Sequence, residues 1–110
     1  MKRLPIKIKK ELLFFDFNEI IFIERIQKKT IIRTKKQDIE VTEPLFSIYN
    51  RLDKQTFIRT HKSYIVNVNY IKKISQWSPK TYKIVFNGSN SDALFSYERY
   101  KEFTKKHLFN

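Results

Sequence analysis

Apolar and polar residues alternate one by one through most of this chain. A period of two limits it to strands with one buried face and one wet face. Leu4, Ile6 and Ile8 alternate with basic residues in a first strand, and Leu12–Phe15 reads as a second. Asp16–Glu19 suits a turn or a single helical turn. Ile20–Ile26, rich in Ile and Phe, reads as a central strand. Gln27-Lys28-Lys29 then turns the chain into a partner strand at Thr30–Thr34, and Lys35-Lys36-Gln37 turns it into Asp38–Val41. Further strands are predicted at Thr56–Thr60, Ser63–Val68, Ile71–Trp77, Tyr82–Phe86 and Ala93–Ser96. Turns fall at Ser78-Pro79-Lys80 and at Asn87-Gly88, which holds the chain's single glycine and is a hairpin signal.

The period changes twice. Leu45, Ile48, Tyr49 and Leu52 share one helical face. Thr42 is placed to cap that helix, Glu43 to meet the positive end of its dipole, and Pro44 to sit in its first turn. This helix is expected to cover one sheet and close the core. Tyr100, Phe103, Thr104 and His107 predict a short C-terminal helix capped by Ser96. Many strands with two helical pieces give one mainly-β domain over residues 1–110, and a single internal helix leaves no room for parallel βαβ units.

Charge speaks to partners. The 110 residues carry 23 Lys and Arg against 11 Asp and Glu, a formal +12. No carboxylate lies between Asp53 and Asp92, where Lys54, Arg59, Lys62, Lys72, Lys73, Lys80 and Lys83 all fall. Nucleic acid, an anionic membrane and an acidic protein all fit such a surface. Absence of cysteine excludes disulfides and thiolate metal sites and fits a reducing compartment. No apolar run is long enough to span a bilayer and no signal peptide is visible, so a soluble, cytoplasmic protein is expected.

Catalytic chemistry finds little material. His61 and Ser63 stand two apart, but no glycine-rich elbow or oxyanion loop accompanies them, and the basic middle offers no paired carboxylates. His61 and His107 lie far apart with no acidic cluster beside them, so no metal site is read. One glycine is too few for a phosphate-cradling loop, so no nucleotide cofactor and no small-molecule substrate are expected. Tyr64, Val66 and Val68 form one face of their strand; Ser63, Ile65 and Asn67 form the other. Asn67 requires its amide to be satisfied by loop backbone. Asn69 is expected to cap the turn at Tyr70, and Trp77 to be a packing residue. His61-Lys62 interrupts two well-patterned strands, so both side chains are expected to project into solvent, where they suit a base edge or a phosphate.

The stretch Phe57-x-Arg59-x-His61-Lys62-Ser63-Tyr64-Ile65-Val66-Asn67-x-x-x-Ile71-x-x-Ile74 resembles the signature of the LytTR DNA-binding domain. Ile20–Glu24 is similar to that family's early central strand, the helix near Leu45–Leu52 precedes the signature, and Ser96–Phe103 resembles the entry to its C-terminal helix. The resemblance implies an elongated stack of small antiparallel sheets with little helix. It also implies the output domain of a bacterial transcription regulator, of the two-component response-regulator kind. Such domains read double-stranded DNA with three loops entering successive major grooves, often at direct repeats, with a dimer on DNA possible. Any phosphorylation input is expected outside these residues, where no receiver-like segment is read. Carried over by motif, His61, Lys62 and Ser63 form a central DNA-contacting loop and Lys28, Lys29 and Thr30 a second. The third falls at Tyr97-Glu98-Arg99, with Glu98 where the family favours arginine. Either Arg99 takes the reading role or this member prefers different bases at that end. A basic protein- or membrane-interaction module is the alternative, with RNA binding behind it for want of an RRM-type aromatic signature.

Overall fold

The computed structural model describes residues 2–108. Met1, Phe109 and Asn110 of the domain expected over 1–110 lie outside the described residues. The hairpin of β1 (Arg3–Ile8) and β2 (Glu11–Asp16) comes first. Next come β3 (Ile20–Ile26), β4 (Lys29–Thr34), β5 (Asp38–Val41), helix α1 (Leu45–Tyr49), β6 (Phe57–His61) and β7 (Tyr64–Asn67). Finally β8 (Ile71–Ser78), β9 (Thr81–Phe86) and β10 (Ala93–Ser96) lead into α2 (Tyr97–Leu108). The strands form a two-stranded sheet, a five-stranded sheet ordered β5-β4-β3-β7-β6, and a three-stranded sheet ordered β10-β9-β8. Every pairing is antiparallel. Stacked together they make an elongated body of 45 × 28 × 24 Å.

β3 holds the stack together because both of its faces are buried. Ile20 and Ile23 join one core with Leu4, Ile6, Ile32, Ile48, Phe57 and Ile65 under the β1–β2 hairpin and α1. Ile21 and Phe22 join a second core with Val66, Ile84, Phe86, Ala93 and Phe95 under the three-stranded sheet. Strict alternation would send Ile21 and Phe22 to opposite faces. A β-bulge between Ile20 and Phe22 in the pairing with β4 lets both serve the second core. Each such fully buried side chain contributes roughly 1.5–3 kcal/mol of transfer free energy.

Asn67 is buried, and its amide is satisfied as the sequence requires. Nδ2 donates to the carbonyls of Phe17 (3.3 Å) and Ile20 (2.9 Å), while Oδ1 accepts from the Asn69 N–H (2.9 Å). Asn67, not Asn69, therefore caps the one-turn 3-10 helix Val68–Tyr70. α1 also differs from expectation at its start. Its N-cap is Pro44 and no side chain caps it, so Thr42 stays outside the helix. Glu43 faces Arg51 instead, accepting from Nη1 (2.6 Å) and Nη2 (2.9 Å), and also accepts from the Ser47 hydroxyl. Arg51 reaches on to the Pro5 carbonyl (3.0 Å), tying the segment that follows α1 to β1.

With so little glycine, two turns hold other residues in the left-handed region: Lys9 (φ 56°) and Gln27 (φ 55°). Asn87-Gly88 does precede a hairpin partner, but the connection runs from Asn87 to Asp92 and is longer than a two-residue turn. α2 follows Ser96 directly and lies on the second core, with Tyr100 stacked on Tyr82 at 3.8 Å and Phe103 at 5.4 Å from Phe95.

Candidate nucleic-acid interface

The β6–β7 turn, Lys62-Ser63, is shaped by a bulge one residue before His61. Arg59 pairs with Ile65 and His61 with Tyr64, so Thr60 is the extra residue. Its side chain is buried and its hydroxyl donates to the Leu94 carbonyl (2.7 Å), which fixes β6 against β10. Arg59 then wraps the turn. Nη2 donates to the Lys62 carbonyl at 2.6 Å and Nε to the His61 carbonyl at 3.4 Å.

Lys62 is exposed, as expected, but His61 is only half exposed. Its Nδ1 accepts from the Ser63 N–H (3.0 Å) and its ring sits edge-on to Tyr64 at 5.6 Å. Burial, followed by the charges of Lys62, Arg99 and Arg59, holds its pKa below 6.5. With Nδ1 accepting, its proton lies on Nε2, leaving a donor suited to a guanine acceptor or a phosphate.

The β3–β4 turn lies beside this one. Glu24 pairs with Tyr64, and the Arg25 N–H donates to the Ser63 carbonyl (2.9 Å). Gln27 and Lys28 therefore sit at the same end of the sheet as Lys62 and Ser63. Lys28 is exposed, and so is Lys29, whose Nζ is 3.7 Å from Glu40. Thr30 is a correction, because it is fully buried. Its hydroxyl donates to the Glu43 carbonyl (2.6 Å) and accepts from Arg25 Nη1 (2.7 Å). Only Gln27 and Lys28 make the turn, so Thr30 already belongs to β4, on its inward face.

Arg99, exposed on the first turn of α2, completes the group. Its Nη1 donates to the Arg59 carbonyl (3.1 Å), bringing the helix start onto β6 beside the bulge. Neighbouring Glu98 is exposed as well. Two features escaped the sequence reading. Arg59 turns out to be the clamp of the central turn. Trp77, expected to pack, is 65% exposed at a bulge in β8, with Lys83 Nζ 4.3 Å over its ring. The Lys80 carbonyl accepts from the Tyr97 N–H (3.0 Å), so the β8–β9 turn also adjoins the start of α2. His107 is exposed with its ring 4.3 Å from Phe103, and no group of three His, Cys, Asp or Glu residues gathers among the described residues.

Comparison with known proteins bears on this basic end. A profile of the LytTr DNA-binding domain matches residues 10–107. The chain belongs to the LytTR DNA-binding domain family. NatR, a transcriptional regulatory protein of Bacillus subtilis (strain 168), is 30% identical over 101 residues, covering 92% of this chain and 43% of NatR. LytR, a transcriptional regulatory protein of Staphylococcus aureus (strain N315), is 37% identical over 82 residues, covering 74% of this chain and 33% of LytR. This LytTR domain thus spans less than half the length of either relative. A solved LytTr DNA-binding domain from Bacillus cereus superposes with a TM-score of 0.81 at 25% identity, over 99% of both chains. The mainly-β stack expected from the sequence is therefore the LytTR fold. Among the described residues no helix is long and apolar enough to cross a membrane.

Proposed function

We propose that this LytTR domain binds double-stranded DNA sequence-specifically, as the cytoplasmic output domain of a bacterial transcription regulator. The β6–β7 turn enters a major groove with His61, Lys62 and Ser63. Lys28 and Lys29 on one side, and Arg99 on the other, approach the neighbouring grooves or phosphates. The juxtaposition of these three segments at one end of the five-stranded sheet carries the reading. They come from separate parts of the sequence and are joined by the Arg25–Ser63 and Arg59–Arg99 contacts. Phosphate contacts would supply affinity from the +12 charge, and the few side chains on base edges would supply choice, about 1–3 kcal/mol for each good bidentate pair. Direct-repeat sites occupied by two copies of the domain fit an elongated reader of successive grooves.

Fluorescence anisotropy on duplexes selected from a random pool and on scrambled duplexes tests this, with anionic vesicles as competitor. Neutralising about six phosphates gives log K against log salt a slope near −5. Selected duplexes should bind more tightly at every salt concentration. Equal affinity for selected and scrambled DNA, or a protein held by vesicles against excess duplex, would refute specific DNA binding.

A further inference from the structure

A cleft of about 610 Å³ opens between α2 and β6, within the range typical of small-molecule sites. Its apolar wall comes from Ile58, Phe95 and Phe103. Four cations line it, Lys54, Arg59, Arg99 and Lys106, against one carboxylate, Glu102. Arg59 and Arg99 lie close enough for Arg99 Nη1 to reach the Arg59 backbone carbonyl (3.1 Å). Lys29, Arg33, Arg51 and Lys83 have carboxylate partners, whereas Arg59 and Arg99 donate to backbone carbonyls. Half-buried Arg59 thus keeps a positive charge repelled by Arg99, on the floor of an apolar recess. An opposite charge attached to a flat apolar body would satisfy both features.

We propose that this cleft is a binding site for a small aromatic monoanion, and that its occupancy weakens the hold on DNA. The anionic group accepts from Arg59 and Arg99 while the ring lies against Ile58, Phe95 and Phe103. Doing so competes with the Lys62 and His61 carbonyls for the Arg59 guanidinium, which loosens the β6–β7 turn. By linkage, DNA must weaken anion binding by the same factor. This coupling rests on the DNA-binding reading; the cleft itself does not.

Anilinonaphthalene sulfonate is a fluorescent probe of this class, and N-phenylnaphthylamine is its uncharged counterpart. The probe is titrated into the protein without DNA, and its site is mapped by amide chemical shifts. The expected result is saturable binding with shifts at Ile58, Phe95 and Phe103, and much weaker binding of the uncharged analogue. Arg99→Ala should raise the Kd about tenfold, the size of one charge-assisted hydrogen bond, and Lys54→Ala, whose ammonium donates to the Tyr49 and Leu52 carbonyls, should raise it by less, through loss of a screened charge alone. Thermal melts of both variants check that they remain folded. Lys54→Ala should leave duplex affinity at the wild-type value. Equal binding of the two dyes, an unchanged Kd in both variants, or inorganic phosphate displacing the dye at equal concentration would overturn the site. Dye seated in the cleft with duplex affinity unaltered would overturn the coupling. A domain that binds the dye there but binds no DNA would count against the DNA reading alone.

Discussion

Replacing Arg59 with lysine keeps the formal charge and removes the fork. Arg59 spans two carbonyls of the β6–β7 turn, Lys62 O at 2.6 Å and His61 O at 3.4 Å, in a planar geometry that one ammonium cannot copy. The stronger of these is a hydrogen bond from a charged donor, worth about 1.5–3 kcal/mol. Without it the turn must be ordered when DNA binds, and fixing one residue costs roughly 1–2 kcal/mol. A lysine recovers part of this, so a net loss of about 2 kcal/mol is expected in the complex, near 30-fold in Kd. Folded stability should fall less, because the strands on either side remain packed. Anisotropy titrations of wild type and Arg59→Lys at four salt concentrations give both affinity and slope. Parallel lines offset by that factor are expected, since no phosphate contact is lost. Wild-type affinity in the variant would refute the clamp.

Lys62→Ala should reduce the salt slope by about one and leave the melting temperature nearly unchanged, because the side chain is exposed. Val66→Ala should do the reverse. It empties part of a fully buried site at a cost of about 2 kcal/mol in urea unfolding, with DNA affinity per folded molecule preserved. Thr30→Val should cost about 1 kcal/mol of stability, since the Glu43 carbonyl loses the nearer of its two donors and Arg25 one of its acceptors, and should not touch the salt slope. The His61 pKa is lowered on folding, chiefly by burial, so its contribution to stability is present above pH 6.5 and is lost as pH falls from there through the lower folded value. Denaturant melts at pH 7.5 and pH 5 should therefore differ less for His61→Asn than for wild type, and equal differences would count against that reading.

Most strands were legible because alternation records which faces are covered, and the Ile20–Ile26 run stood out because β3 is covered on both. Errors gather where one extra or one missing residue shifts the phase. Trp77 was placed inside by its apolar surface, yet a bulge in β8 turns it outward. Lys29 was read as turn because Gln27-Lys28-Lys29 looks like a polar linker, and Thr30, read as the start of the strand, was given to the contacting loop by resemblance alone. In the fold Gln27 takes a left-handed backbone, the turn closes in two residues, and Thr30 falls on the inner face of β4. Arg59 could not be recognised as a clamp, since its reach depends on the Thr60 bulge, and nothing in the alternation marks that bulge. Thr42 looked like a cap by composition, but Arg25 takes its carbonyl and the helix begins after Pro44.

The strand shared by the two cores has a mechanical corollary. Neither the hairpin layer nor the three-stranded layer can detach without exposing a side of Ile20–Glu24 to water, so the layers are obliged to melt together. The β3–β4 and β6–β7 turns extend from that strand and its neighbour, and their spacing is preserved for as long as the strand stays dry. On warming, grip on a duplex should accordingly disappear over the same narrow interval as the fold, with no warmer-than-optimal state in which one turn still holds DNA and the other has let go.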